Sequence, residues 1–131
     1  MDLPAFLAPG LDPDPADAYR QAWQLLQERQ PRRAIELLDP ALEAEPASVS
    51  LRTLRAWAYF QTAQLGRAEA DLARLIEDHP TDVWARFALG RTLERQSKLT
   101  EALPHLRMAA AMSGDPEHEV AVLRVERLLS T

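Results

Sequence analysis

The stretch PRRAIELLDPALEAEP, residues 31–46, places Ala34, Leu38, Ala41 and Leu42 along one face of a helix and closes on Pro46. Apolar residues three and four apart are the mark of an amphipathic helix. The chain then writes the same pattern again. The step from Ala34 to Ala68 carries the other four positions onto Leu72, Leu75, Ile76 and Pro80 in RAEADLARLIEDHP, residues 67–80. A second step of the same length carries the first four onto Ala102, Leu106, Ala109 and Ala110 in TEALPHLRMAAAMSGDP, residues 100–116, with the closing proline delayed to Pro116. A fixed period in the range of about 20–50 residues means stacked units, none of which can bury its apolar face alone.

The upstream half of each unit keeps the same period. Counted from Pro15, Val49 and Val83, the eighth residue is Ala22, Ala56 or Gly90 and the eleventh is Leu25, Tyr59 or Leu93. A small residue recurs where two helices must approach, and a large one recurs a turn later. Each unit therefore holds two apolar-periodic segments joined by short polar links at 29–30, 63–64 and 97–98, which is a helical hairpin. Start signals agree: Asp14, Pro15 and Asp17 supply a cap, a first-turn proline and a following acid, and Asp115 with Pro116 repeats the device. The spacing predicts helices over 15–28, 31–45, 49–62, 66–79, 83–96, 100–113 and 116–129, with no strand. Pro40 and Pro104 fall inside two of them and predict kinks rather than breaks.

Composition bounds the rest. The chain has 131 residues, 47% hydrophobic, enough for one domain with a core, and no apolar run near the length needed to span a membrane. The start MDLPAFLAPG has an acid where a signal peptide needs bases, so a cytoplasmic protein is expected. There is no cysteine, hence no disulfide, thiolate ligand or thiol nucleophile. Net charge is −5; Asp2, Asp12, Asp14 and Asp17 supply four of the 20 acids, leaving 16 acids against 15 bases in the remainder. An acidic extension thus precedes a nearly neutral body, and neither offers the basic footprint that nucleic acid requires. His79, His105 and His118 lie in different segments without a helical ligand pair, so no metal site is expected. There is no glycine-rich phosphate loop, and no serine has a histidine that the sequence places beside it, so neither a cofactor nor catalysis is expected.

The period and its small and large positions resemble the tetratricopeptide-repeat family, best in the third unit through Leu89, Gly90, Leu93, Ala102 and Leu106. The resemblance implies an all-α fold, antiparallel helix hairpins stacked as a short right-handed superhelix. Repeats would occupy 15–48, 49–82 and 83–116, with a capping helix at 116–129 and an extension at 1–14. The chain departs from the family pattern where its first-helix tryptophan falls on Ala18, Arg52 and Arg86, and its leucine on Gln21 and Arg55. Arg52 and Arg55 stand at positions the family buries, which implies a rotated second unit or pairing with acids such as Glu36 or Asp39.

By the same resemblance, the second, fifth, ninth, twelfth and thirteenth residues of each unit face the concave side. They place six of the eight aromatics, Tyr19, Trp23, Trp57, Phe60, Trp84 and Phe87, on that surface, with Arg91 and Arg95 as its basic end. Either these rings form an open groove for a protein or peptide ligand, or they are ordinary core. The Lys, Asn and Arg clamp with which some relatives hold acidic chaperone tails is replaced by Tyr19, Trp23, Leu54, Trp84 and Ala88. The resemblance implies a non-catalytic adaptor binding an apolar peptide or helix. The alternatives are a homo-oligomeric assembly subunit, including a homodimer, or a small secretion-type chaperone. The acidic, proline-stiffened extension is expected either to lay Leu3, Phe6 and Leu7 in the groove, with Asp2 or Asp12 near Arg91 and Arg95, or to serve as a solubilising appendage.

Overall fold

The structure, a computed structural model, describes residues 15–131. The extension lies outside them, and with it Asp14, expected from the sequence to cap the first helix. Seven helices follow in order: α1 (Pro15–Gln27), α2 (Pro31–Ala44), α3 (Val49–Gln61), α4 (Leu65–Asp78), α5 (Val83–Arg95), α6 (Leu99–Ser113) and α7 (Pro116–Leu129). Each lies within two residues of the position that periodicity predicts, and the described residues contain no strand.

The helix ends explain why the period is so regular. Arg29, Ala63 and Ser97, each one repeat from the next, all have positive φ, at 60°, 57° and 61°. After each, a backbone N–H reaches back five residues: Gln30 to Leu25 O at 2.8 Å, Gln64 to Tyr59 O at 2.9 Å and Lys98 to Leu93 O at 2.9 Å. One left-handed residue thus reverses the chain and satisfies helix carbonyls that would otherwise lack donors. Starts are set by side chains: Ser48 accepts from the Leu51 N–H at 3.3 Å, Asp82 from Ala85 at 3.0 Å and Asp115 from Glu117 at 2.9 Å.

Pro40 and Pro104 lie on exposed sides of α2 and α6, and both helices continue past them to Ala44 and Ser113. Water can reach the carbonyls these prolines leave without a donor, which keeps the cost tolerable.

Contacts group the chain into two compact units, with the division falling inside α4 after Asp71. In the first, Ala22, Leu26, Ala34, Leu38, Leu42, Leu51, Leu54 and Ala58 form the core, and Trp23, Leu25, Ile35, Ala41 and Trp57 pack against it half-buried. In the second, Leu72, Leu75, Ala85, Phe87, Leu93, Ala102, Leu106, Ala109, Ala121 and Val125 are buried. Gly90 is required there: a Cβ on it would stand 2.5 Å from Leu106 Cδ2 and 3.3 Å from the Leu106 backbone nitrogen. The eighth position of the repeat is small because α6 crosses α5 at that point.

Candidate functional site

The arginines at family-buried positions have a specific explanation. Arg55 donates from Nε to Asp71 Oδ2 at 2.9 Å and from Nη2 to Asp71 Oδ1 at 2.8 Å, and reaches Asp39 Oδ1 from Nη1 at 3.1 Å. Arg52 donates to Asp71 Oδ1 at 3.0 Å and to the Pro46 carbonyl at 2.7 Å. Asp71 is 4% exposed, so two cations and two carboxylates from α2, α3 and α4 share one partly dry network. Of the two expected acids, Asp39 takes part; Glu36 lines a depression of about 590 Å³ with Arg20, Gln24, Leu25 and Arg33. Hydrogen bonds donated to Asp71 hold the Arg55 guanidinium well above its ordinary pKa, against the opposing effect of burial. Arg55 also covers the Tyr59 ring at 5.6 Å.

The eight residues expected to line a groove divide by burial. Tyr19 is 7% exposed and belongs to the first core cluster, where burial pushes its phenol up to about 12. Phe87 is 2% exposed and stacks on His118 with centroids 4.0 Å apart. These two rings are core, and the groove assignment is corrected for both: ring area of this size is used where α1 and α5 seat against their neighbours. Trp23, Trp57 and Phe60 in the first unit, and Trp84 and Arg91 in the second, are half-buried, while Arg95 is exposed. Trp57 and Phe60, one turn apart on α3, stack with centroids 5.7 Å apart and planes 11° from parallel. None of the aromatics among the described residues lines the depression beside Arg20 and Glu36.

The basic end holds an acid at its centre. Glu94 stands 3.3 Å from Arg91 Nε and accepts a two-pronged fork from Arg124 of α7 at 2.6 and 2.8 Å. This fork raises the Arg124 pKa, hydrogen bonding outweighing burial. The seam between α5 and α7 is therefore fixed by charge as well as by Phe87 and His118.

One serine does sit beside a histidine, contrary to expectation: Ser113 Oγ lies 2.7 Å from His118 Nδ1 and also accepts from the Asp115 N–H at 3.0 Å. His118 is only 9% exposed and stacks on Phe87, so the pair ties the α6–α7 turn from within the core. Among the described residues no group of His, Asp and Glu side chains could hold a metal ion, and no helix is long and apolar enough to cross a membrane.

A family model described as tetratricopeptide repeat matches residues 25–86. No curated protein matches the chain by sequence. Among solved structures, MamA of AMB-1 superposes with a TM-score of 0.81 at 21% identity over 89% of this chain and 64% of its own. The chain thus spans somewhat under two-thirds of that protein's length. The second repeat domain of human RPAP3, in complex with the HSP70 peptide SGPTIEEVD, gives 0.78 at 21% identity over 83% of this chain and 92% of its own. The first such domain of Spaghetti, bound to the HSP90 peptide SRMEEVD, gives 0.82 at 18% identity over 90% and 97%. With hairpins in constant register, a family-model match over residues 25–86 and these superpositions, the described residues have the all-α fold of tetratricopeptide-repeat solenoids.

Proposed function

We propose that this chain is a non-catalytic adaptor that binds an apolar peptide or helix of another protein. In the first unit the contact falls on Trp23, Trp57 and Phe60; in the second, Trp84, Arg91 and Arg95 provide a separate contact region. The observation that carries this reading is the Trp57–Phe60 stack, two large rings on one face of α3, both half-exposed. Each such ring can bury about 150–250 Å², and aromatic side chains of this kind dominate protein-interaction energetics. Two structural neighbours are solved with peptides bound, which supports a peptide-binding role for the fold. Those peptides end in acidic residues; here the positions of the corresponding clamp include Leu54 and Ala88, both buried, so an apolar ligand fits better. The test is capture from native lysate by wild type and by a Trp57→Ser, Trp84→Ser variant, with helix content checked by circular dichroism. A protein retained by wild type and lost from a folded variant supports the reading; equal capture overturns it.

A second reading, assembly between copies, rests on α7. Val120 is 57% and Leu123 63% exposed on its outer side. Of their counterparts one repeat earlier, Arg86 meets His105 of α6 and Leu89 is buried. Light scattering over a range of concentrations distinguishes this reading, which requires a mass above that of one chain and a return to the monomer in Leu123→Glu.

A further inference from the structure

The second and third repeats solve the same position differently. Arg52 donates from Nη2 to the Pro46 carbonyl at 2.7 Å and from Nη1 to Asp71 Oδ1 at 3.0 Å. One repeat on, Arg86 donates from Nη2 to the Pro80 carbonyl at 3.0 Å, and its Nη1 meets His105 Nδ1 at 3.5 Å. The arginine is thus held in the same way by the same carbonyl, while the carboxylate it would grip has become an imidazole. The substitute serves it poorly. The His105 contact is at the outer limit of a hydrogen bond, and Arg86 Nε is buried with no acceptor. A half-buried guanidinium with one N–H lacking an acceptor and another poorly served carries an unrecovered desolvation cost.

Nearby acids do not fill the gap. Asp82, which caps α5 one turn before Arg86, accepts from the Ala85 N–H at 3.0 Å. Glu101, one turn before His105 on α6, is exposed. Among the described residues Arg86 makes no ion pair.

We propose that Arg86 and His105 form a carboxylate-binding site in the α5–α6 seam, an incoming carboxylate taking the place that Asp71 takes for Arg52. Arg86 is already oriented by Pro80 and presents a planar fork suited to carboxylate oxygens, and the His105 ring offers an N–H as a second donor. Both side chains are partly exposed, so an Asp or Glu side chain of another protein, or a small free acid, can reach them. The site is separate from the aromatic residues proposed above and does not depend on that reading.

The test uses the whole chain and two probes, sodium acetate and the blocked peptide acetyl-Ala-Asp-Ala-amide, each against sodium chloride at matched ionic strength. Bound carboxylate is expected to raise the wild-type Tm by about 3 °C near saturation and to move the His105 ring resonances. His105→Asp supplies the carboxylate internally: it should start from a higher Tm and lose the response to both probes. Arg86→Gln, checked for helix content, should also lose it. A stronger response to the peptide assigns the site to a protein ligand, and an equal response to small acids; both support the site. If neither probe exceeds chloride in wild type, or if His105→Asp responds as wild type does, the proposal is overturned.

Discussion

Arg55 grips Asp71 with both arms of its guanidinium, at 2.9 and 2.8 Å, and one repeat later the same two positions hold Leu89 and His105. The second hairpin is therefore held across its seam by a buried ionic network, and the third by apolar packing of Leu106 against Gly90.

Removing one partner of a buried network leaves the others charged and unsatisfied. Asp71→Ala should cost about 3–5 kcal/mol, because Arg52 and Arg55, 13% and 20% exposed at their side chains, both lose their main acceptor. Arg107→Ala breaks only the exposed Arg107–Glu126 pair and should cost under about 1 kcal/mol. Urea denaturation of the two variants compares them directly; equal losses would mean that the Asp71 network is not the closure of the second hairpin.

At the helix reversals the prediction has the opposite sign. Ala63 has φ of 57°, a region that costs residues with a Cβ on the order of 1 kcal/mol, so Ala63→Gly should stabilise by about 0.5–1 kcal/mol. Gly90→Ala should destabilise by about 1–3 kcal/mol despite improved helix propensity, because the new methyl meets Leu106 backbone as well as side chain. Similarly, Ala68→Asp, at a fully buried site, should lower Tm far more than Ala63→Asp in the exposed turn.

His105 links stability to pH. Burial, and then the adjacent Arg86, lower its pKa below the ordinary 6.5. Between the lowered folded value and 6.5 the unfolded chain holds the proton and the folded chain does not, so stability falls as pH falls through this window and is fully present above it. The nearby acids are Asp82, which caps α5 one turn before Arg86, and Glu101 on α6, one turn before His105. His105→Gln should flatten the pH 5 to 7 slope of the unfolding free energy relative to wild type; an unchanged slope would show that His105 does not set it.

Most of the architecture was legible because it depends on spacing. Alanine and leucine at a constant period define the hairpins, and even the left-handed residues at 29, 63 and 97 obey that period, although Arg, Ala and Ser give no glycine-like signal at those positions. The site was less legible, for a physical reason. A family position states which way a residue points on an ideal helix and cannot state how much a neighbour covers it. Tyr19 and Phe87 therefore read as groove residues and are core. Asp71 gave no sign in its own helix, since the arginines it holds belong to the helix before; only the anomalous Arg52 and Arg55 announced that a buried acid was needed. Nothing in the sequence announced the hold of Glu94 on Arg124, two helices later.

On the proposed function, Trp57 and Phe60 contact the ligand and the fold stands without them. The most direct measurement is the binding of the protein captured by wild type to Trp57→Ser, titrated by tryptophan fluorescence or calorimetry, alongside the urea midpoint of the same variant. Binding should weaken at least about 30-fold, as for a loss of about 2 kcal/mol or more at an interface hot spot, with helix content retained. A variant that binds the captured protein as tightly as wild type, or one that unfolds outright because the ring is core, would contradict it.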